Sequence, residues 1–432
     1  MRGLIRTAAV VTMVAVALVL PATSQADAAG PDRAFSSPVA HASAKARKAV
    51  SAARLRAGLS RLFRRVGRSG AMVLDPATGK VLFARKARRA RILASNTKLF
   101  TTATALTRFG HEARLQTTAW SADDISDGIS QGLILRGGGD PTLSTTGLTR
   151  LADRVRAAGL LAVQGPLRYD DTFLDRQAGI PQFGITSERI GTLSALTIDS
   201  GSPRDPARLA AQRFADALRK EGISIGTSVT PGLVVPGFVR IADFGSPTMA
   251  DLIEDTNVPS NNFLAEMLLK DLAGEFADSG STAAGINVVK EFASRQEARF
   301  TGENGSGLSR RNKASPASVV KLLEAMLKID ENATPAEQLE QGERRDAWIR
   351  SLAVAGRTGT LARRMRGTAA RRRCRAKTGT LNGVSTLSGY CFRGGDDADH
   401  AVIFSLLMNR VDIGHAHLVQ DRMTALMARY SR

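Results

Sequence analysis

Three short runs hold side chains that could together acylate a serine. Ser95-Asn96-Thr97-Lys98 opens a predicted helix from Ser95 to about Arg108, and the i to i+3 spacing puts Ser95 and Lys98 on one face, a turn apart. A serine hydroxyl is a weak nucleophile until a base takes its proton, and a lysine whose pKa is lowered by burial or by other cations is such a base. Ser260-Asn261-Asn262 enters a predicted helix, Asn261 to Leu272, and taken alone it reads as a helix cap. Lys377-Thr378-Gly379-Thr380 falls on a predicted strand whose glycine lets another backbone approach closely.

Each run taken singly is weak, and the chain carries its own near-copies. Ser318-Val319-Val320-Lys321 repeats the Ser-x-x-Lys spacing, but Ser315-Pro316 reads as a cap and first helical residue, so Ser318 is a first-turn residue. Arg357-Thr358-Gly359-Thr360 nearly repeats the third run. Gly128-Ile129-Ser130-Gln131-Gly132 and Gly222-Ile223-Ser224-Ile225-Gly226 match Gly-x-Ser-x-Gly, yet both are followed by strand-like residues where a nucleophile elbow needs a helix. The five histidines, His41, His111, His400, His415 and His417, stand in polar or turn contexts, which disfavours a Ser-His-Asp triad. The order Ser-x-x-Lys, Ser-x-Asn, Lys-Thr-Gly is far more specific than any member and points to a serine acyl-transfer site.

With those motifs the sequence resembles the penicillin-binding proteins and serine β-lactamases, and among them the class C low-molecular-mass D-alanyl-D-alanine carboxypeptidases. Also similar to that family are Leu135-Arg136-Gly137-Gly138-Gly139-Asp140-Pro141-Thr142-Leu143, Gly165 to Asp171, Gly305-Ser306-Gly307-Leu308-Ser309-Arg310, and Gly359-Thr360-Leu361 followed by Arg364-Met365. The chain departs from the family's usual pattern at Leu93, at Asn261 and at Asn304. The resemblance implies an α+β fold: a DD-peptidase/β-lactamase-like domain with an antiparallel sheet flanked by helices, and an inserted mostly-β domain between the first two motifs.

By the same resemblance Ser95 is the acylated nucleophile, Lys98 its base and Ser260 a proton relay to the leaving amine. Asn262 would hold Lys98 and the substrate amide, while Lys377, Thr378, Gly379 and Thr380 would bind the substrate and its terminal carboxylate. The backbone N–H groups of Ser95 and Thr380 would form the oxyanion hole. The implied activity is a D-Ala-D-Ala carboxypeptidase, with endopeptidase cleavage of cross-bridges as a second use of the site. Substrates would be peptidoglycan peptides ending in D-Ala-D-Ala, with β-lactams as inhibitors and no cofactor or metal. Two alternatives stay open: a serine β-lactamase, for which the Glu-x-x-Leu-Asn type of loop is not found, and a catalytically silent wall-binding protein.

The elements that must position these residues are spread over a long, basic chain. It has 432 residues, 60 Lys+Arg against 40 Asp+Glu, a formal charge of +20 and 43% hydrophobic residues, so it can bury a core and seeks an anionic partner. Nucleic acid is the first such partner, and the N-terminus argues against it. Arg2 and Arg6, an apolar run from Ala8 to Leu20, and small residues up to Ala28 read as a signal peptide. The expectation is export to the periplasm or the outer wall, where the charge would meet anionic cell-wall polymers.

Residues 29–69 read as a basic lead-in, with ten Lys/Arg from Arg33 to Arg68 and Asp32 as the one acid. Residues 70–111 and 247–432 would form the penicillin-binding domain, and 112–246 the inserted domain. Inside the first, Ala71 to Phe83 reads as a hairpin turning at Asp75 to Gly79. Asn382-Gly383 is a strong two-residue hairpin turn, and its register sets Cys374 opposite Cys391 in a non-hydrogen-bonded pair, where side chains lie closest. In an exported protein a disulfide is expected there, clamping the strand that carries Lys377.

Overall fold

A computed structural model describes residues 50–64, 66–180, 190–202, 204–393 and 401–430. The proposed signal peptide and the first part of the basic lead-in lie outside the described residues. The chain is organised around a six-stranded sheet in the order Ala353–Val354, Cys374–Leu381, Val384–Cys391, Val402–Asn409, Gly70–Asp75, Lys80–Arg85, antiparallel throughout. Val384–Cys391 and Val402–Asn409 are buried at every residue. Central strands covered on both faces have no solvent side to alternate towards, so Val402–Asn409 is nearly all apolar, and the polar side chains of Val384–Cys391 are paired internally, Thr386 with the Leu93 carbonyl, Ser388 with Ser405 and Ser385 with Gln420.

One face of the sheet packs on the helices Thr97–Phe109, Met249–Asn257, Asn262–Phe276, Thr282–Arg295, Pro316–Ala325 and Pro335–Arg350 through a core that includes Phe100, Leu268, Trp348 and Tyr390. The two large buried rings Trp348 and Tyr390 pair their polar atoms: Trp348 Nε1 donates to the Tyr390 hydroxyl at 2.7 Å, which donates to the Leu323 carbonyl at 2.8 Å. The other face is covered by Ala52–Leu62 and Ile413–Met427. The first of these lies inside the stretch read as a lead-in. Leu55, Leu59, Phe63 and Val66 recur at steps of four, four and three and are all buried, so this part of the segment belongs to the core despite its arginines.

A second sheet has the order Val239–Gly245, Gln116–Ser121, Leu133–Gly137, Leu167–Asp170, Val229–Pro231, and its last two pairings are parallel. Two helices, Thr145–Ala157 and Pro206–Lys220, pack on it. The start of the first is set by Ser144, whose side chain accepts the Gly147 N–H. Ser130 and Ser224 belong to this unit. Ser130 is buried against Ser121 and Asp123, and Ser224 lies in a β-bridge, so both Gly-x-Ser-x-Gly runs are structural. The outgoing strand Gln116–Ser121 and the returning strand Val239–Gly245 lie side by side, so the chain leaves and re-enters at one place.

Asp140 and Asp271 meet where this unit abuts the helix Asn262–Phe276. Both are buried; Asp140 Oδ2 and both oxygens of Asp271 have no hydrogen-bond partner among the described residues, and a Cβ on Gly139 would lie 2.0 Å from Asp271 Oδ1. Burial, then repulsion from Asp140, holds the Asp271 carboxyl well above the usual carboxylate range. The folded state therefore keeps a proton that the unfolded chain gives up, and stability falls as pH rises from the unfolded pKa through the folded one. Asp271→Asn removes this charge, so the variant should be the more stable protein at pH 8, by about 1 to 3 kcal/mol, with the gap closing near pH 4. Thermal melts across pH measure it; a variant no more stable than wild type at pH 8 would contradict it.

Candidate active site

Ser95 sits in a 3-10 turn, Ala94–Asn96, that runs directly into the helix Thr97–Phe109. The turn is held from below and from the side. Asn96 Nδ2 donates to the Lys377 carbonyl at 2.8 Å, and Thr386 Oγ1 donates to the Leu93 carbonyl at 2.9 Å. Ala94, just before the serine, has φ of +47°, and Ser260 has φ of +66°. Left-handed backbone at a non-glycine residue costs roughly 1 kcal/mol or more and persists where surrounding contacts over-determine it.

Lys98 is fully buried and its Nζ has three acceptors: Asn262 Oδ1 at 2.7 Å, the Ser306 carbonyl at 2.7 Å and Ser95 Oγ at 3.3 Å. Burial lowers its pKa to about 7, against the pull of Glu266, which raises it. A neutral amine has two hydrogens and one lone pair. The two short contacts are to groups that only accept, so they take the hydrogens, and the lone pair is left facing the Ser95 hydroxyl.

Asn262 is the first residue of the helix Asn262–Phe276, whose N-cap is Asn261, accepting the Leu264 N–H at 3.1 Å. The cap is thus the residue between Ser260 and Asn262, and it aims both. Ser260 and Asn262 line a cleft of about 740 Å³, with Ile190, Gly191, Gly201 and Phe263 among its walls.

The strand Cys374–Leu381 pairs with Val384–Cys391 along its whole length, but with Ala353–Val354 only at Arg375 and Ala376. From Lys377 onward no strand among the described residues pairs with its other edge, which is open. Counting outward from the Asn382-Gly383 turn, Thr378 and Thr380 fall in non-hydrogen-bonded pairs, so their N–H and C=O groups face that open edge. Lys377 and Gly379 share the face that packs on the Ser95 turn. There a Cβ on Gly379 would lie 2.8 Å from the Ser95 nitrogen and 2.3 Å from Thr386 Oγ1, so glycine is what admits the turn. Lys377 is fully buried, donates to the Thr378 carbonyl at 3.1 Å, and has its pKa lowered by burial and then by Lys98. Cys374 and Cys391 lie opposite each other and are joined by a disulfide.

The structure therefore brings Ser95, Lys98, Asn262, Lys377 and Gly379 together, with Ser260, Thr378 and Thr380 at their margin. It leaves the Ser-x-x-Lys copy apart: Ser318 Oγ accepts the Arg299 N–H at 3.2 Å, and Lys321 pairs with Glu297 and Glu324. The other copy is not idle. Thr378 Oγ1 donates to Thr360 Oγ1 at 2.7 Å, and Thr360 N–H donates to the Val258 carbonyl, so the Thr358-Gly359-Thr360 turn bridges the Lys377 strand to the segment before Ser260.

Two contributors escaped sequence reasoning. One is Asn312, whose Nδ2 donates to Thr97 Oγ1 and to Asn304. Asn304, in turn, accepts the Gly307 N–H at 3.1 Å, a bond that an amide oxygen makes as well as a carboxylate does. The other is Glu266, fully buried, accepting the Gly305 N–H at 3.0 Å and the Ser306 N–H at 2.8 Å. A signal for it existed: a lone acid one turn after Asn262 on a helix that is otherwise nearly all apolar at that end.

A serine at the start of a helix, a lysine a turn later and a lysine strand alongside define the serine acyl-transfer class, and comparison with known proteins places the chain within it. It belongs to the D-Ala-D-Ala carboxypeptidase 3 (S13) family, which it matches over residues 64–203 and 194–430. It is 31% identical to the D-alanyl-D-alanine carboxypeptidase of Actinomadura sp. (strain R39), over 84% of this chain and 81% of that one. It is 29% identical to carboxypeptidase DacB of Mycolicibacterium smegmatis, over 78% of this chain and 75% of that one. In fold it is similar to penicillin binding protein 4 (dacB) from Haemophilus influenzae, with TM-score 0.67 at 19% identity, over 85% of this chain and 97% of the other.

Proposed function

We propose that this chain is an exported serine D-Ala-D-Ala carboxypeptidase that trims peptidoglycan stem peptides through an acyl-enzyme on Ser95, with DD-endopeptidase cleavage as a second use of the site, and that β-lactams acylate it. The observation that carries this is the arrangement at Lys98 Nζ, two short bonds to acceptors and the third direction open to Ser95 Oγ. In this reading Lys98 takes the Ser95 proton as Oγ attacks the penultimate D-Ala carbonyl. The N–H groups of Ser95 and Thr380 stabilise the oxyanion, each worth about 3 to 4 kcal/mol of barrier. Ser260 passes the proton to the leaving D-Ala amine, the C–N bond breaks, and water later releases the acyl group. Lys377, Thr378 and Thr380 hold the terminal carboxylate, whose arrival would restore the charge that burial disfavours on Lys377.

The test is release of D-Ala from a synthetic peptide ending in D-Ala-D-Ala, beside persistence of a fluorescent penicillin on the protein. D-Ala release with a lasting adduct supports the reading; rapid turnover of the penicillin supports a β-lactamase, and no adduct a silent wall-binding protein. Because the free enzyme needs Lys98 neutral, kcat/KM should rise with pH through about 7. A profile flat from pH 5 to 8.5 would exclude Lys98 as the base.

Export rests on the charged and apolar pattern up to Ala28 and fits the disulfide at Cys374–Cys391. For the positive charge we propose an anionic cell-wall polymer. Arg363, Arg366, Arg371, Arg372 and Arg373 are exposed just before the Lys377 strand, while Arg364 is held by Asp421 and Gln420. Binding to isolated walls should weaken as salt is raised, since exposed charges are screened beyond about 8 Å at physiological ionic strength.

A further inference from the structure

The mechanism uses Lys98 but leaves open what aims it. Of its two short acceptors, Asn262 Oδ1 is anchored by the helix on which it stands, whereas the Ser306 carbonyl belongs to a loop. That loop would have to be held to better than an ångström for the lone pair to face Ser95. The holding group is visible one turn beyond Asn262. Glu266 Oε2 accepts the Gly305 N–H at 3.0 Å and Oε1 the Ser306 N–H at 2.8 Å, a two-pronged grip on consecutive amides. Thr101 Oγ1, from the Lys98 helix, donates to the Gly305 carbonyl at 3.0 Å and fixes the other side of the same peptide.

The fit leaves little slack. A Cβ on Gly305 would lie 2.4 Å from the Ala265 carbonyl oxygen, and one on Gly307 would lie 1.9 Å from the Ala94 carbonyl oxygen. The loop is therefore wedged between the Asn262 helix and the turn that bears Ser95. Burial raises the Glu266 pKa, opposed by its bonds from Ser306 and Gly305 and by Lys98, and with both oxygens accepting backbone N–H groups the side chain has the arrangement of an ionised carboxylate in a site with no solvent exposure.

We infer that Glu266 is a positioning residue for the acylation step: by gripping the Gly305 and Ser306 amides it aims the Ser306 carbonyl at Lys98 Nζ, and its charge sets how readily Lys98 gives up its proton. This rests on the proposed reading of Ser95 and Lys98. Two charged groups face Lys98, Glu266 from its helix and Lys377 from its strand. Burial disfavours the ammonium form and Glu266 favours it, so the balance between them places the Lys98 titration near neutrality rather than far below it. No bond to substrate is made by Glu266 itself.

Glu266→Gln and Glu266→Asp separate the two parts of the inference. Gln has one acceptor oxygen and no charge, so it grips one amide and turns an N–H donor towards the other. Penicillin acylation of Glu266→Gln at pH 9, where Lys98 is neutral in both proteins, should be slower by about tenfold or more. Losing the negative charge should also move the acid limb of the pH profile to lower pH, by about one unit. Asp keeps the charge on a shorter arm, so its limb should stay in place while its rate falls.

The Lys98 titration can be read without substrate from the 13C shift of its ε-carbon, assigned by its loss in Lys98→Gln. The inference is therefore tested even if the protein takes no penicillin, an outcome that would count against the function and not against Glu266. A Glu266→Gln protein with wild-type thermal stability and an unmoved Lys98 midpoint would overturn it. If that variant is not recovered folded, a Glu266→Asp protein acylated at the wild-type rate would overturn it as well.

Discussion

Replacing Lys98 by glutamine should slow acylation of Ser95 by about 10² to 10⁴, the usual contribution of a positioned general base. Glutamine keeps an amide N–H₂ that can still reach towards Asn262 Oδ1 or the Ser306 carbonyl, the two groups that Lys98 Nζ serves at 2.7 Å. The substitution therefore removes the lone pair facing Ser95 Oγ without leaving both acceptors bare. Two readouts distinguish loss of the base from loss of the fold. Thermal stability should change little, because a buried cation whose pKa is lowered to about 7 by desolvation contributes little to stability. The rise in rate through pH 7 should also vanish with the lysine. If a limb near pH 7 survives in Lys98→Gln, the base lies elsewhere. Stopped-flow measurement with a fluorescent penicillin between pH 5.5 and 9 supplies both numbers.

Gly307→Ala should be nearly as damaging, although Gly307 touches no reacting atom. Gly307 has φ of +92°, and a Cβ there would lie 1.9 Å from the Ala94 carbonyl oxygen, 2.4 Å from its carbon and 2.9 Å from Thr97 Oγ1. Backbone stands on the far side of that contact, so no flexible side-chain end can yield; the turn that presents Ser95 must shift. A displacement of about 1 Å at a reacting group costs on the order of a hundredfold in rate, and overpacking typically costs about 1 to 3 kcal/mol of stability. Gly222→Ala is the matched control. Gly222 also has positive φ, +78°, but a Cβ there meets nothing within 4 Å. It should lose a little stability from backbone strain and none of the acylation rate. Equal rates for the two variants would mean that the contact at Ala94 does not hold the serine.

The parts of this molecule that were readable from sequence are those where chemistry or a turn leaves a local mark. The three runs around Ser95, Ser260 and Lys377 each carry a side-chain pattern with a physical purpose, and Asn382-Gly383 sets a register whose consequences run eight residues along both strands. What could not be read is what depends on contacts made across the chain. The carboxylate of Glu266 and the amide of Ser306 are 40 residues apart, and nothing near either announces the other. The Arg357-Thr358-Gly359-Thr360 run reads as a near-copy of the Lys377 run and as part of a family-like motif, and only the fold sets Thr360 against Thr378.

Composition misled in one place. In the helix Ala52–Leu62 the apolar stripe of Leu55, Leu59 and then Phe63 is narrow and set among arginines and alanines, so the segment reads as a charged tail while its stripe is buried against Ile413–Met427 and the sheet. Arg56 shows how the charge is accommodated: its guanidinium donates to the Leu82 carbonyl at 3.2 Å and the Val81 carbonyl at 3.3 Å, along the outer strand of the sheet. Long cationic side chains that lie along a surface in this way let a basic helix pack.

The mechanism requires Ser95 to be the residue that reacts, in a chain that offers Ser318 at the same spacing from a lysine. The most direct measurement is the mass of the intact protein after incubation with benzylpenicillin, followed by peptide mapping of the adduct. One added penicilloyl group per chain, located on Ser95 and absent in Ser95→Ala, is the predicted result. An adduct on Ser318, or none on a folded protein, would contradict it.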